Sequence, residues 1–237
     1  MIDKQLNYGR HLIEKFLVNS NSPKVILDLG AGGGDDLQIA KKIYPNANFN
    51  AIEVYKPYID NLKNKGFIVH SINIERDIYP FSDKSVDIII ANQILEHLKE
   101  VFWTFHQATR ILKKGGSLII GVPNIAALHN RLLLLLGKQP TPLKNSSAHV
   151  RGWTKSDLLS FLNNCYENGY SLKDYGGSNF YPFPPLVSKP LAKIFPNMAW
   201  GSFFHLIKER EYINEFIEFP SKEKLETNFY LGNGSEQ

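Results

Sequence analysis

The chain has 237 residues, 43% of them hydrophobic and 21% charged, with a formal net charge of +4. That length suits one α/β domain with a large core, and the charge, scattered among acids, gives no strong signal for nucleic acid. The single cysteine, Cys165, excludes an intramolecular disulfide framework and suits a reducing cytoplasm. The most apolar helical run, Leu132 to Leu136, is far too short to span a bilayer, and Met1 to Arg10 lack the apolar core of a signal peptide.

Strand and helix patterns then alternate, which predicts a mostly parallel sheet. A helix over about 4–18 precedes a strand at 24–29, and a helix over 35–43 ends before Pro45. A strand at 48–54, a helix over 57–65 stopped at Gly66 and a strand at 67–72 follow. The run 86–91 is apolar and β-branched almost throughout, as a strand covered on both faces should be. A helix over 99–113 carries Val101, Phe102, Phe105, Ala108, Ile111 and Leu112 on one stripe, and Gly115-Gly116 ends it. After a strand at 117–122, Thr154 caps a helix over 155–164. Strands near 170–175 and 202–208 complete seven, and the 231–237 tail reads as mobile. The whole reads as a single domain over 1–237 with insertions at about 124–144 and 178–200.

One stretch carries most of the chemistry. The apolar run Val25-Ile26-Leu27 ends in Asp28 and breaks into glycines at 30, 32, 33 and 34 before a helix starts. A strand, a tight glycine turn and a helix start bring backbone close to a nucleotide-like ligand. Glu53 closes the second apolar run, where a carboxylate can accept hydrogen bonds from ribose hydroxyls. A dinucleotide site wants Gly-x-Gly-x-x-Gly, whereas here the glycines run Gly30-x-Gly32-x-Gly34. Asp35 and Asp36 sit where a pyrophosphate would lie and would repel it. The expected ligand therefore lacks phosphate and carries positive charge.

Leu27-Asp28-Leu29-Gly30-Ala31-Gly32-Gly33-Gly34 resembles the first motif of the class I S-adenosylmethionine-dependent methyltransferases. Ile78 to Asp87 is similar to the Pro-Phe turn of their small-molecule branch, with its type 11/23 domains. Ala91 to Leu98 resembles the segment after strand 4, and Arg110 to Gly116 the link into strand 5. The resemblance implies a Rossmann-like, seven-stranded, mostly parallel sheet ordered 3-2-1-4-5-7-6, with strand 7 antiparallel and helices on both faces. It implies S-adenosyl-L-methionine as cofactor and S-adenosyl-L-homocysteine as product. Gly30, Gly32 and Gly34 would line the methionine and ribose, and Asp28 would orient the loop or meet the ammonium through water. Glu53 would bind the ribose diol, Asn73 and Ile74 the adenine, and Asn92 and Gln93 would lie beside the sulfonium.

A sulfonium methyl is already electrophilic, so catalysis is mainly in-line positioning plus removal of a proton from the acceptor. His97, past strand 4, and His149, in a polar segment after strand 5, are the candidate bases, although Glu96-His97 could instead cap a helix and pack the loop. Gln93-x-x-Glu96-His97 with His149-x-x-x-Trp153-Thr154 is also similar to the metal-binding pattern of small-RNA 2′-O-methyltransferases. Gln93 departs from that pattern by being neutral, so no metal ligand is assigned and a divalent ion is kept as the alternative.

The two insertions should sit over the mouth of the site, where loops carry specificity. Their aromatic and aliphatic content suits a small-molecule, glycan or lipid-linked acceptor, with Arg151 and Tyr181 as acceptor-binding residues. The same segments could bury one another or form a homodimer face. Two rival functions are a non-catalytic cofactor-binding or scaffold protein and a nicotinamide-dependent oxidoreductase. The first is opposed by an undamaged cofactor motif, the second by the glycine spacing and Asp35-Asp36.

Overall fold

The computed structural model describes residues 4–232. Its seven strands are β1 (Val25–Leu29), β2 (Asn48–Ile52), β3 (Ile68–His70), β4 (Val86–Asn92), β5 (Leu112–Pro123), β6 (Tyr170–Ser178) and β7 (Gly201–Lys208). They form one sheet in the order β3-β2-β1-β4-β5-β7-β6, the order expected. β1 pairs parallel with β2 and β4, β2 with β3, and β4 with β5. β7 runs antiparallel to both β5 and β6.

The helices are α1 (Arg10–Val18), α2 (Asp35–Ile43), α3 (Lys56–Asn64), α4 (Val101–Ile111), α5 (Leu128–Leu135), α6 (Lys155–Cys165), α7 (Pro185–Ile194) and α8 (Glu215–Lys222). Alternation in β4 explains how the layers form. Ile88 and Ile90 face a core built with Ile13, Phe16 and Leu17 of α1, Leu37 and Ala40 of α2, and Leu62 of α3. Ile89 faces the other way, into a core with Phe102, Phe105 and Ala108 of α4, Leu158 and Leu162 of α6, and Phe216 of α8. Burial on both faces is why β4 carries Val86 and the run Ile88 to Ile90. No helix among the described residues is long and apolar enough to cross a membrane.

Several boundaries differ from the sequence reading. The helix expected over 4–18 is a 3-10 turn (Lys4–Tyr8) and then α1, broken at Gly9. Gly9 has φ +54, and a Cβ there would run into the Phe203 ring, so the break needs glycine. The strand expected over 48–54 ends at Ile52, and the helix expected over 99–113 ends at Ile111. Leu112 is already extended (φ −72, ψ 132) and pairs with Val86, so Gly115-Gly116 lie in β5 and do not stop a helix. The sequence reading assigned nothing between 209 and 230, yet α8 packs there, and Phe229 and Tyr230 lie on the rings of Phe102 and Trp103 at 4.8 and 5.0 Å. Residues 233–237 of the tail expected to be mobile lie outside the described residues.

Lys208, at the end of β7, is buried and donates to the carbonyls of Thr109 and Leu112, both at 2.7 Å. Burial pushes its ammonium down from the ordinary 10.5 to about 8, against the opposing pull of Glu211. Between those values the unfolded chain binds more protons than the folded one, so the contribution of this lysine to stability rises with pH across the window. Melting of wild type against Lys208→Met should therefore shift in favour of wild type between neutral pH and the top of that window. A gap that does not change with pH would contradict this.

Candidate active site

The carboxyl end of β1 turns sharply because the Gly30 and Ala31 N–H groups both donate to the Ile52 carbonyl, at 2.9 and 3.3 Å, and Gly34 N–H donates to Ala31 at 2.8 Å. Gly30, Gly32 and Gly34 have φ of +66, +51 and +78. Their uses differ. A Cβ on Gly30 would lie 2.7 Å from Ile94 Cδ1, and one on Gly34 would lie 2.6 Å from Leu62 Cδ2. A Cβ on Gly32 would meet only Tyr58, at 4.0 Å. Gly30 and Gly34 thus let protein pack against protein, and Gly32 keeps space open.

That space is a cavity of about 350 Å³ lined by Asp28, Gly30, Ala31, Gly32, Gly33, Asp35, Asp36, Tyr58, Asn92 and Gln93, with Gln5, Tyr8 and Arg10 closing over it. Asp28 is buried, and its carboxyl is raised well above the usual range by burial, then by the nearby Asp36 and Glu53. Burial also raises Asp36, opposed by a 2.8 Å hydrogen bond from Asn92 and by Arg10. Arg10 pairs with Asp35 at 2.8 Å and Asp36 at 3.7 Å. Asp28 and Asp36 are buried and Asp36 shares its one cation with the exposed Asp35, so the cluster is under-neutralised, which favours a positively charged ligand. The side chains also leave polar atoms to spare, since buried Asn92 Oδ1 and Gln93 Nε2 have no hydrogen-bond partner.

The other expected cofactor residues stand apart from this cavity. Glu53 Oε2 accepts from Gly32 N–H at 2.8 Å, and Oε1 accepts from the Val54 and Tyr55 N–H groups, both at 2.9 Å. Glu53 therefore ties the end of β2 to the glycine turn. Asn73 is exposed, its Oδ1 taken by Glu75 N–H at 2.9 Å, while the Ile74 carbonyl accepts from Tyr79 and Thr104 hydroxyls. Arg10, Tyr8 and Tyr58 line the cavity and were not among the residues expected from the sequence. The only signal for Arg10 and Tyr8 was a basic and aromatic N-terminal segment ahead of β1, and Tyr58, in α3, had none.

After β4, Gln93 takes φ +56 and a short 3-10 turn, Leu95–His97, follows. The chain after α5 returns to this turn, because Val150 and Arg151 N–H groups donate to the Glu96 carbonyl at 2.8 and 3.2 Å. That zipper sets the His149 ring against the His97 ring, edge to face, with centroids 4.7 Å apart. Glu96, His97 and His149 each offer a ligand atom, all within 4.8 Å of one another. Glu96 is buried, and burial pushes its carboxyl up to about 8. Burial first, then His97, lowers His149. Glu96 Oε2 and His149 Nδ1 are buried without a hydrogen-bond partner.

Of the expected acceptor residues, Arg151 donates to the Leu98 and Lys99 carbonyls at 3.1 and 2.9 Å, which pins the loop that carries His149. Tyr181, half exposed, lies against the His129 ring at 5.0 Å and so joins the two insertions. A second cavity, of about 730 Å³, adjoins the first through shared Gln5 and Arg10 and is bounded by α1, the end of β6 and α7.

Residues 27–120 match the family described as "Methyltransferase domain". Over 122 residues the chain is 31% identical to a malonyl-[acyl-carrier protein] O-methyltransferase of Xylella fastidiosa, covering 46% of this chain and 40% of that protein. The chain spans less than half the length of the relatives it matches, 30% and 40% in two cases. In structure it is similar to a SAM-dependent methyltransferase from Thermotoga maritima, with TM-score 0.60, 15% identity and 86% and 92% of the two chains covered. It is also similar to the plantazolicin methyltransferase BpumL in complex with SAH, with TM-score 0.60, 17% identity and 87% and 86% covered.

Proposed function

We propose that the chain is a class I S-adenosylmethionine-dependent methyltransferase, a reading supported by the match of residues 27–120 to the methyltransferase-domain family and by the likeness of the fold to solved methyltransferases, and that it methylates an oxygen of a small-molecule, glycan or lipid-linked acceptor. The observation that carries this reading is the cavity at Gly32, walled by Asp28, Asp35 and Asp36. S-adenosylmethionine supplies an electrophilic methyl group on a sulfonium. Open space at Gly32 admits the methionine portion, and the carboxylates meet its ammonium. Arg10, paired with Asp35 and Asp36, would exchange an aspartate for the cofactor's own carboxylate. Asn92 and Gln93 offer their spare polar atoms beside the reacting centre. His97 or His149 would accept the acceptor's proton, because a neutral imidazole is the right base near neutral pH.

A second reading rests on the convergence of Glu96, His97 and His149 within 4.8 Å. Two imidazoles and a carboxylate suit a divalent transition metal, and the unpartnered Glu96 Oε2 and His149 Nδ1 fit that use. Those three residues would hold the ion, which would supply Lewis acidity toward an acceptor hydroxyl.

Calorimetry tests the primary reading. Wild type should bind S-adenosylmethionine in the micromolar range, on the order of −8 kcal/mol, and no binding would end the assignment. Tyr181→Ala should leave that affinity unchanged while lowering transfer of labelled methyl into a cell extract by roughly tenfold, the scale of a lost positioning contact. Loss of cofactor affinity in this variant would mean that the insertions belong to the cofactor pocket.

A further inference from the structure

The sequence reading set Leu132 to Leu136 in an insertion over the mouth of the site, with burial against the second insertion as the alternative, and the structure leaves most of them uncovered. Leu132, Leu134, Leu135 and Leu136 are exposed at 54%, 57%, 82% and 69%. On α7, Leu186 is 87% exposed and Ile194 65%. The two helices are neighbours, since Leu128 of α5 and Leu191 and Ala192 of α7 pack with Phe180 and Ala199 in one small cluster. They follow the carboxyl end of β5 and bridge β6 to β7, so both lie on the same side of the sheet as the glycine turn after β1.

Charge says what covers this face. Residues 124–144 and 178–200 contain Arg131, Lys138, Lys144, Lys189 and Lys193 and no aspartate or glutamate. None of these five forms an ion pair among the described residues. The same sign continues into the 730 Å³ cavity, where Lys189 and Lys193 stand with Arg10, His11 and Lys15 and no carboxylate lines the wall, although Arg10 and Lys15 are already paired elsewhere. A second copy of the chain, meeting it face to face, would set cation against cation. Exposed bulky aliphatic groups in two neighbouring segments that carry lysine and arginine and no acids match a surface that dips into the headgroup region of an anionic bilayer.

We infer that α5 and α7 dock this side of the protein onto an anionic lipid membrane. Docking is peripheral: the exposed leucines enter the interface, and the five cations face lipid phosphates. It does not depend on the methyl-transfer reading.

The test is co-sedimentation of the full chain with vesicles of phosphatidylcholine, with and without about one third phosphatidylglycerol. Binding should require the anionic lipid, fall with added salt, and weaken by roughly tenfold in Leu134→Ser/Leu135→Ser and in Lys189→Glu/Lys193→Glu. Both variants alter exposed side chains, and unchanged melting temperatures confirm that they fold. Equal binding to both vesicles, or full binding by both variants, overturns the proposal. So does wild-type self-association that the leucine variant abolishes while neither protein binds vesicles, since the face would then be a dimer contact.

Discussion

Gly32→Val is expected to abolish S-adenosylmethionine binding, with a loss of at least about a hundredfold in affinity, or roughly 3 kcal/mol. Two effects combine. Its side chain would enter the 350 Å³ cavity, where nothing but Tyr58 at 4.0 Å now approaches that position. It would also impose a β-branched residue on φ +51, which costs stability by itself. Gly115→Val separates the two, because Gly115 has φ +78, has nothing within 4 Å, and does not line the cavity. The Gly115 variant should lose a similar amount of stability and keep cofactor binding. Calorimetry and melting of both proteins check this, and a Gly32→Val protein that binds normally would mean the ligand lies elsewhere. Asp28→Asn should weaken binding more modestly, since it removes a buried carboxyl whose ionised form a cationic ligand would favour.

The second large effect concerns metal. If the three-residue cluster holds an ion, the protein as purified should contain, or take up from added manganese or zinc, about one ion per chain, and Glu96→Ala or His149→Ala should weaken uptake by roughly 10–100-fold or more. Gln93→Glu should strengthen it by adding a charged ligand. Metal content by mass spectrometry after dialysis reads the result without any acceptor. Uptake that is unaffected by all three substitutions would leave the cluster as a pair of imidazoles and a buried acid, with only the base role open.

Local pattern explains how much of this was readable beforehand. α2 begins at Asp35 and ends at Ile43, as expected, because a glycine turn, an acidic first turn and a following Pro45 are all near-neighbour signals. Thr154 does cap α6, accepting from Asp157 N–H at 3.1 Å. The errors fall where a distant partner overrides local preference. Leu112 looks like the last residue of a helical stripe, but pairing with Val86 makes it a strand residue. Gly9 looks tolerable inside a helix, but Phe203, nearly two hundred residues away, occupies the space beside it.

By itself the sequence determined the strand-and-helix alternation, the glycine turn after β1, the carboxylates at 28, 35, 36 and 53, and the kind of ligand they exclude. Those features depend on backbone conformations and charges set within a few residues of one another. The tertiary structure alone decided that Arg10 lies over Asp35 and Asp36, that only Gly32 among the three outer glycines leaves open space, and that His149 meets His97 through the zipper on Glu96. It alone turned the leucines of α5 outward. Whether an apolar run is buried depends on whether another segment reaches it, and no periodicity within eight residues of helix contains that information.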